Sequence, residues 1–147
     1  MKSPLRLLTA VVAIFCLLSP FPGARGQSPA AAGPWYKLED KATLVVEMTL
    51  KPGEAKKSEV KTKKPVVLGF TTDVGGRKEL TKEQQRAYMN QDIIELDAGA
   101  AGKMFSTYGG SSTYEPKGGK ISFTVRNKSD LTVKVAVYTE PVTEKAN

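Results

Sequence analysis

Glu95 and Asp97 stand two residues apart in "DIIELDAG", with Asp92 just before them. In an extended chain, residues i and i+2 share one face about 7 Å apart. Two carboxyl groups at that distance are the working parts of a glycan hydrolase or of a calcium site. The same spacing also arises on any solvent-facing strand, and no DxDxDG loop accompanies it. Composition removes most other chemistry, because the 147-residue chain has no histidine and a single cysteine, Cys16. Without histidine the commonest general base and neutral metal ligand is missing, so a Ser-His-Asp or Cys-His site cannot be assembled from one chain. Zinc and copper also lack their usual ligands. The expectation is a protein with no catalytic residue, no metal and no cofactor.

Two further stretches carry candidate contacts. "KPGEAKKSEVKTKKP", residues 51 to 65, holds six lysines, of which Lys56, Lys57, Lys61 and Lys63 are the candidates for holding a polyanion. Glu54 and Glu59 dilute that patch, no aromatic residue is interleaved, and lysines on a strand commonly solvate a sheet and discourage edge pairing. "YGGSSTYEPKGG", residues 108 to 119, reads as a glycine-rich loop. Its glycines allow close backbone approach, Ser111 and Ser112 offer hydroxyls, and Tyr108 and Tyr114 offer flat apolar faces to a sugar or peptide. It lacks the Gly-Lys-Ser/Thr ending of a phosphate loop, and a plain connector between strands is the competing reading.

The elements that position these residues are set by alternation. "KATLVVEMTLK" places Ala42, Leu44, Val46, Met48 and Leu50 at every second position, the pattern of a half-buried strand. A turn at Pro52 and Gly53 leads into "KSEVKTKKPVVLGFTTD", where Val60, Thr62, Val66, Leu68 and Phe70 share a face. Lys64 falls on the apolar side, which with Pro65 predicts a bulge before burial begins at Val66. Thr81 with Gln84 forms the pattern of a capping box, predicting one short helix near residues 82–90 with a thin apolar stripe. Ile94, Leu96 and Ala98 return to strand character, and "KMFSTY" reads as a further short strand. Ile121, Phe123 and Val125, then Leu131, Val133, Val135 and Val137, alternate on either side of a turn and predict a β-hairpin. Asn127-Lys128-Ser129 at its tip is a glycosylation sequon, which the turn preference of asparagine explains without modification. The whole predicts a mainly β fold, an antiparallel β-sandwich of immunoglobulin-like or jelly-roll type.

The amino end has the layout of a secretory signal peptide: Lys2 and Arg6, an apolar run of about a dozen residues, then Pro20 and Pro22. That run is short of the roughly 20 residues a spanning helix needs. Residues 1–26 are therefore expected to be cleaved, 27–34 to form a flexible linker, 35–141 the sandwich domain and 142–147 a flexible tail. Cys16 leaves with the leader, so packing alone must hold the domain. Trp35 and Tyr36 are expected to cap the open end of its core. Loss of Lys2, Arg6 and Arg25 takes the formal charge from +7 to +4, a mildly basic surface.

These features predict a secreted or periplasmic, non-catalytic binding or structural module. Its expected partner is a protein or polysaccharide of the envelope or extracellular space, without nucleic acid and without a stable membrane anchor. A polyanion binder using Lys51 to Lys64, or a hydrolase using Glu95 and Asp97, are the alternatives.

Overall fold

The computed structural model describes residues 34–143. The expected leader over 1–26 lies outside them, as do the expected linker and tail apart from Pro34, Val142 and Thr143. Two four-stranded antiparallel sheets pack as a sandwich, with strands β1 (Thr43–Leu50), β2 (Ala55–Lys61), β3 (Val66–Thr72), β4 (Ile94–Asp97), β5 (Lys103–Ser106), β6 (Gly109–Tyr114), β7 (Lys120–Asn127) and β8 (Val133–Pro141). Sheet A has the order β1-β8-β3-β6 and sheet B the order β2-β7-β4-β5. β1 pairs with β8, β2 with β7, β3 with β6 and β4 with β5, all antiparallel. This is one long nested hairpin, rolled up until β3 meets β8 and β4 meets β7. Such wrapping is a jelly roll, which decides between the two sandwich types the alternation allowed.

Alternation sets which side chains enter the core. Leu50, Leu68, Phe70, Ile94, Leu96, Val125 and Val137 are all at or below 1% exposed. Full burial of each such side chain contributes about 1.5–3 kcal/mol, so the inward rows dominate stability. β1 departs from the expected pattern: a register shift between Leu44 and Val46 puts an extra residue into the strand. A bulge reverses which side chains face inward, so Leu44 is 40% exposed while Met48 and Leu50 keep the core side.

Three connections differ from the sequence expectation. The stretch from Lys56 to Thr72 is two strands in opposite sheets, because the chain crosses the sandwich between Thr62 and Pro65 instead of bulging there. "GGSSTY" is strand β6 and not a loop. Glycine, ordinarily depleted in strands, is required here by close approach: a Cβ on Gly109 would lie 2.4 Å from the Phe70 carbonyl oxygen, and its φ is +145°. β7 and β8 lie in different sheets, so residues 128 to 132 form an arch over the edge of the core and not a hairpin turn.

Asn127 fixes that arch. Its side chain is fully buried, and Nδ2 donates to the carbonyl oxygens of Leu50, Lys51 and Leu131. Its Oδ1 accepts from the backbone N–H and the hydroxyl of Ser129. The sequon asparagine is thus a structural clasp with every polar atom engaged, as a buried amide requires.

Helix α1 (Lys82–Met89) has the predicted capping box, Gln84 N–H to Thr81 Oγ1 and Thr81 N–H to Gln84 Oε1. No residue of it is buried, so polar anchors hold it. The Tyr88 hydroxyl donates to Asp130, Thr107 to the Tyr88 carbonyl, and the Tyr108 hydroxyl to the Gln85 carbonyl. Each such bond contributes about 0.5–1.5 kcal/mol, enough in sum to dock two turns of helix.

Candidate functional site

The two outer faces of the sandwich differ in chemistry. The outward rows of sheet B carry Lys57 and Lys61 on β2, Lys120 and Arg126 on β7 and Lys103 on β5, set among Glu59, Glu95 and Asp97. Cross-strand pairs neutralise part of this charge. Lys103 Nζ lies 2.7 Å from Asp97 and 3.5 Å from Glu95, and Lys120 lies 2.9 Å from Glu59. The Lys103 hydrogen bond, with a second from the Gly99 N–H, holds the Asp97 carboxyl below its ordinary range. That is opposite to the raised pKa a general acid needs. The Glu95–Asp97 pair does share a face as its spacing implies, and Lys103 occupies the space between the two carboxylates. Asp92, at φ +48°, lies in the turn before β4.

The candidate lysines separate by role. Lys56 donates to the Thr49 carbonyl and pairs with Glu54, so it closes the β1–β2 turn. Lys57 and Lys61 point outward from β2 with no carboxylate within salt-bridge distance among the described residues. Lys63 is not on that strand face, since it lies in the crossing segment after Lys61. Lys61 stands directly opposite Lys120. A shallow depression of about 650 Å³ beside them is lined by Lys57, Glu59, Asp97, Ser122 and Thr124.

The outer face of sheet A carries Glu47, Lys134 and Glu140 and contains a defined hollow. Leu44, Tyr138, Gly69 and Ser111 form one row across β1, β8, β3 and β6. Tyr138 lies over Gly69 so closely that a Cβ there would come within 2.5 Å of the ring's Cζ. Gly69 is therefore the seat of the tyrosine. Beside it is a hollow of about 330 Å³, with Tyr108 and Tyr138, the Gly109–Gly110 backbone and Thr71 in its lining and the carboxylates of Glu39 and Glu140 at hand. Burial, reinforced by Glu140 and Glu39, pushes the Tyr138 phenol above its ordinary value. It therefore stays a neutral hydrogen-bonding group well beyond neutral pH.

The residues expected at a ligand in "YGGSSTY" divide here. Tyr108 lines the hollow, and Ser111 stands in the Tyr138–Gly69 row at its edge. Ser112 falls on the opposite side of β6, paired with Leu68. Tyr114 is corrected: at 2% exposure it is a core residue, because β6 pairs with β3 and turns that ring inward against Val66. Trp35 and Tyr36 also sit elsewhere than expected. Trp35 Nε1 donates to Glu47 on the outer side of β1, and the two rings meet edge to face at 5.2 Å.

Tyr138 was not singled out from the sequence, yet a signal for it existed. Gly69 interrupts an otherwise apolar strand, and a glycine inside a strand marks a place where another group approaches closely. No family model, no curated protein and no solved structure matches this chain.

Proposed function

We propose that the chain is an exported, non-catalytic binding module that holds a neutral polysaccharide on the outer face of sheet A. The observation that carries this reading is the Tyr138 ring seated on Gly69 beside a hollow shared with Tyr108. A pyranose ring presents C–H faces that pack on an aromatic surface and hydroxyls that donate to carboxylates, and this hollow offers both. Its volume is at the small end for ligand pockets, suited to one sugar unit of a longer polymer. The Gly109–Gly110 main chain forms part of the lining that such a ring would meet. The secretory layout of residues 1–26 supports export.

The test is retention of the purified chain on immobilised neutral and acidic polysaccharides at low and high salt. Retention on a neutral polymer that persists in high salt, and is lost in Tyr138→Ala with the thermal midpoint little changed, is the expected result. Equal retention of wild type and Tyr138→Ala removes this face from the proposal.

A second reading, an acidic polymer held on sheet B, is supported by the direct opposition of Lys61 and Lys120. Lys120 is already paired with Glu59, which leaves Lys61 as the open charge for a bound anion. Retention on that face would fall steeply as salt rises.

A further inference from the structure

Each sheet ends in two edge strands, and three of the four carry a device that discourages a further strand. β2 lines its edge with Lys56, Lys57 and Lys61, β5 is only four residues long, and β1 is bent by the bulge between Leu44 and Val46. β6 has none of these: Gly109–Tyr114 contains no charge and no proline, and Ser111, Ser112 and Thr113 are exposed.

The direction of its main-chain groups follows from the ladder. Thr72 N–H donates to the Tyr108 carbonyl, so Tyr108 and Thr72 form a hydrogen-bonded pair. In an antiparallel ladder such pairs alternate with pairs whose N–H and C=O point away. With Thr71 opposite Gly109, the outward-directed residues are Gly109, Ser111 and Thr113. Gly109 is already satisfied, since its N–H and carbonyl both bond the Ser106 hydroxyl. Among the described residues Ser111 and Thr113 remain without main-chain partners on that side, with two donors and two acceptors directed along the sheet plane.

We propose that β6 pairs with β6 of a second copy of this chain, antiparallel about a two-fold axis through Ser112. In that register Ser111 exchanges both main-chain hydrogen bonds with Thr113 of the second copy, and Thr113 does the same with Ser111. It engages every open group on both edges, and the strand meets itself without opposing like charges, as an isologous contact requires. The lysine-lined β2 edge could not pair with itself in this way. The result is a continuous eight-stranded sheet with both sheet-A outer faces on one side. Tyr138 then lies five strand spacings, roughly 24 Å, from its counterpart. This last consequence rests on the polysaccharide reading: two hollows on one face would bind a single polymer with avidity. The pairing itself does not rest on it.

Sedimentation equilibrium of the chain, expressed from Met1 and purified as the cell processes it, tests the pairing with no polysaccharide present. The expected result is a concentration-dependent monomer–dimer equilibrium. Ser111→Pro removes one outward N–H and leaves the β3 ladder intact, and should weaken dimerisation tenfold or more. Thr113→Lys adds an edge charge and should do the same, providing a second variant if the proline compromises folding. In hydrogen exchange the Ser111 and Thr113 amides should gain protection as concentration rises. A chain that stays monomeric up to about 1 mM, or a dimer of unchanged affinity in both variants, overturns the proposal. Dimerisation without polysaccharide retention would overturn only the sugar-binding reading.

Discussion

The side-chain amide of Asn127 lies 3.1 Å from the carbonyl oxygen of Leu50, 77 residues earlier in the chain. That bond joins the end of β7 to the end of β1, across the two sheets. Two neighbouring bonds, to Lys51 and Leu131, make the same amide a clasp on both arches at that end of the sandwich.

Asn127→Ala should therefore destabilise by about 2–4 kcal/mol, since it strands several buried carbonyl oxygens and the Ser129 hydroxyl. Ser129→Ala, which removes one partner of Oδ1, should cost about 1 kcal/mol. Urea titration of the two variants checks the ranking. Equal and small losses would mean that water substitutes for the amide.

Gly69 and Tyr138 should behave as a coupled pair. Gly69→Ala drives a methyl group into the tyrosine ring and should cost about 1–3 kcal/mol, as overpacking does. In a Tyr138→Ala background the same change should be nearly neutral. A double-mutant cycle on thermal or urea stability measures the coupling, and simple additivity would mean that the ring moves aside without strain.

Glycines with positive φ should separate by surroundings. Gly53→Ala, at φ +72° with nothing within 4 Å, should cost about 1 kcal/mol from backbone conformation alone. Gly109→Ala meets the Phe70 carbonyl as well as an unfavourable φ, and should exceed 3 kcal/mol or abolish folding. Soluble yield and urea midpoints distinguish the two.

Stability should fall on both sides of a neutral plateau. Glu54, held low first by the Lys51 N–H, Glu59 by Lys120, and Asp97 by Lys103 bind protons more weakly folded than unfolded. Their contribution is complete above the ordinary carboxylate range and is lost as pH falls through their lowered values. Tyr114 and Tyr138, raised by burial, and Tyr88, raised by its bond to Asp130, have the opposite sign. Their contribution is complete below an ordinary phenol pKa of about 10 and is lost as pH rises past it. Lys103→Met should make the acid limb shallower, measured as the urea midpoint between about pH 5 and pH 3. An unchanged slope would mean that Lys103 does not hold the Asp97 carboxyl in solution.

Much of the fold was legible because burial of one face writes itself into the sequence. Ile121, Phe123, Val125, Val133, Val135 and Val137 all point inward as their alternation required, and the Thr81–Gln84 cap starts the helix where it stands. What alternation does not encode is the partner. An inward row looks the same whether the next strand pairs beside it or crosses to the opposite sheet, so β7 and β8 read as a hairpin. The residue that makes them an arch, Asn127, has partners near position 50 that no local pattern reveals. The site was harder still. Gly109 and Gly110 carry the composition of a loop, and their role as the floor of a hollow appears only once β3 lies beside them. Leu44 was misplaced because a bulge changes parity without changing composition.

The nested pairing also orders events in time. Thr43 finds its neighbour in Thr139, and β3 is flanked on one side by β8, the last of the described strands to leave a ribosome. Until that strand exists, β1 has no partner and sheet A lacks one of its two central strands. Contacts this distant in sequence close slowly, because a long loop must be ordered before any pairing rewards it. A growing chain of this design keeps sheet A open until β8 has emerged, and only then can β1 and β3 lock into place.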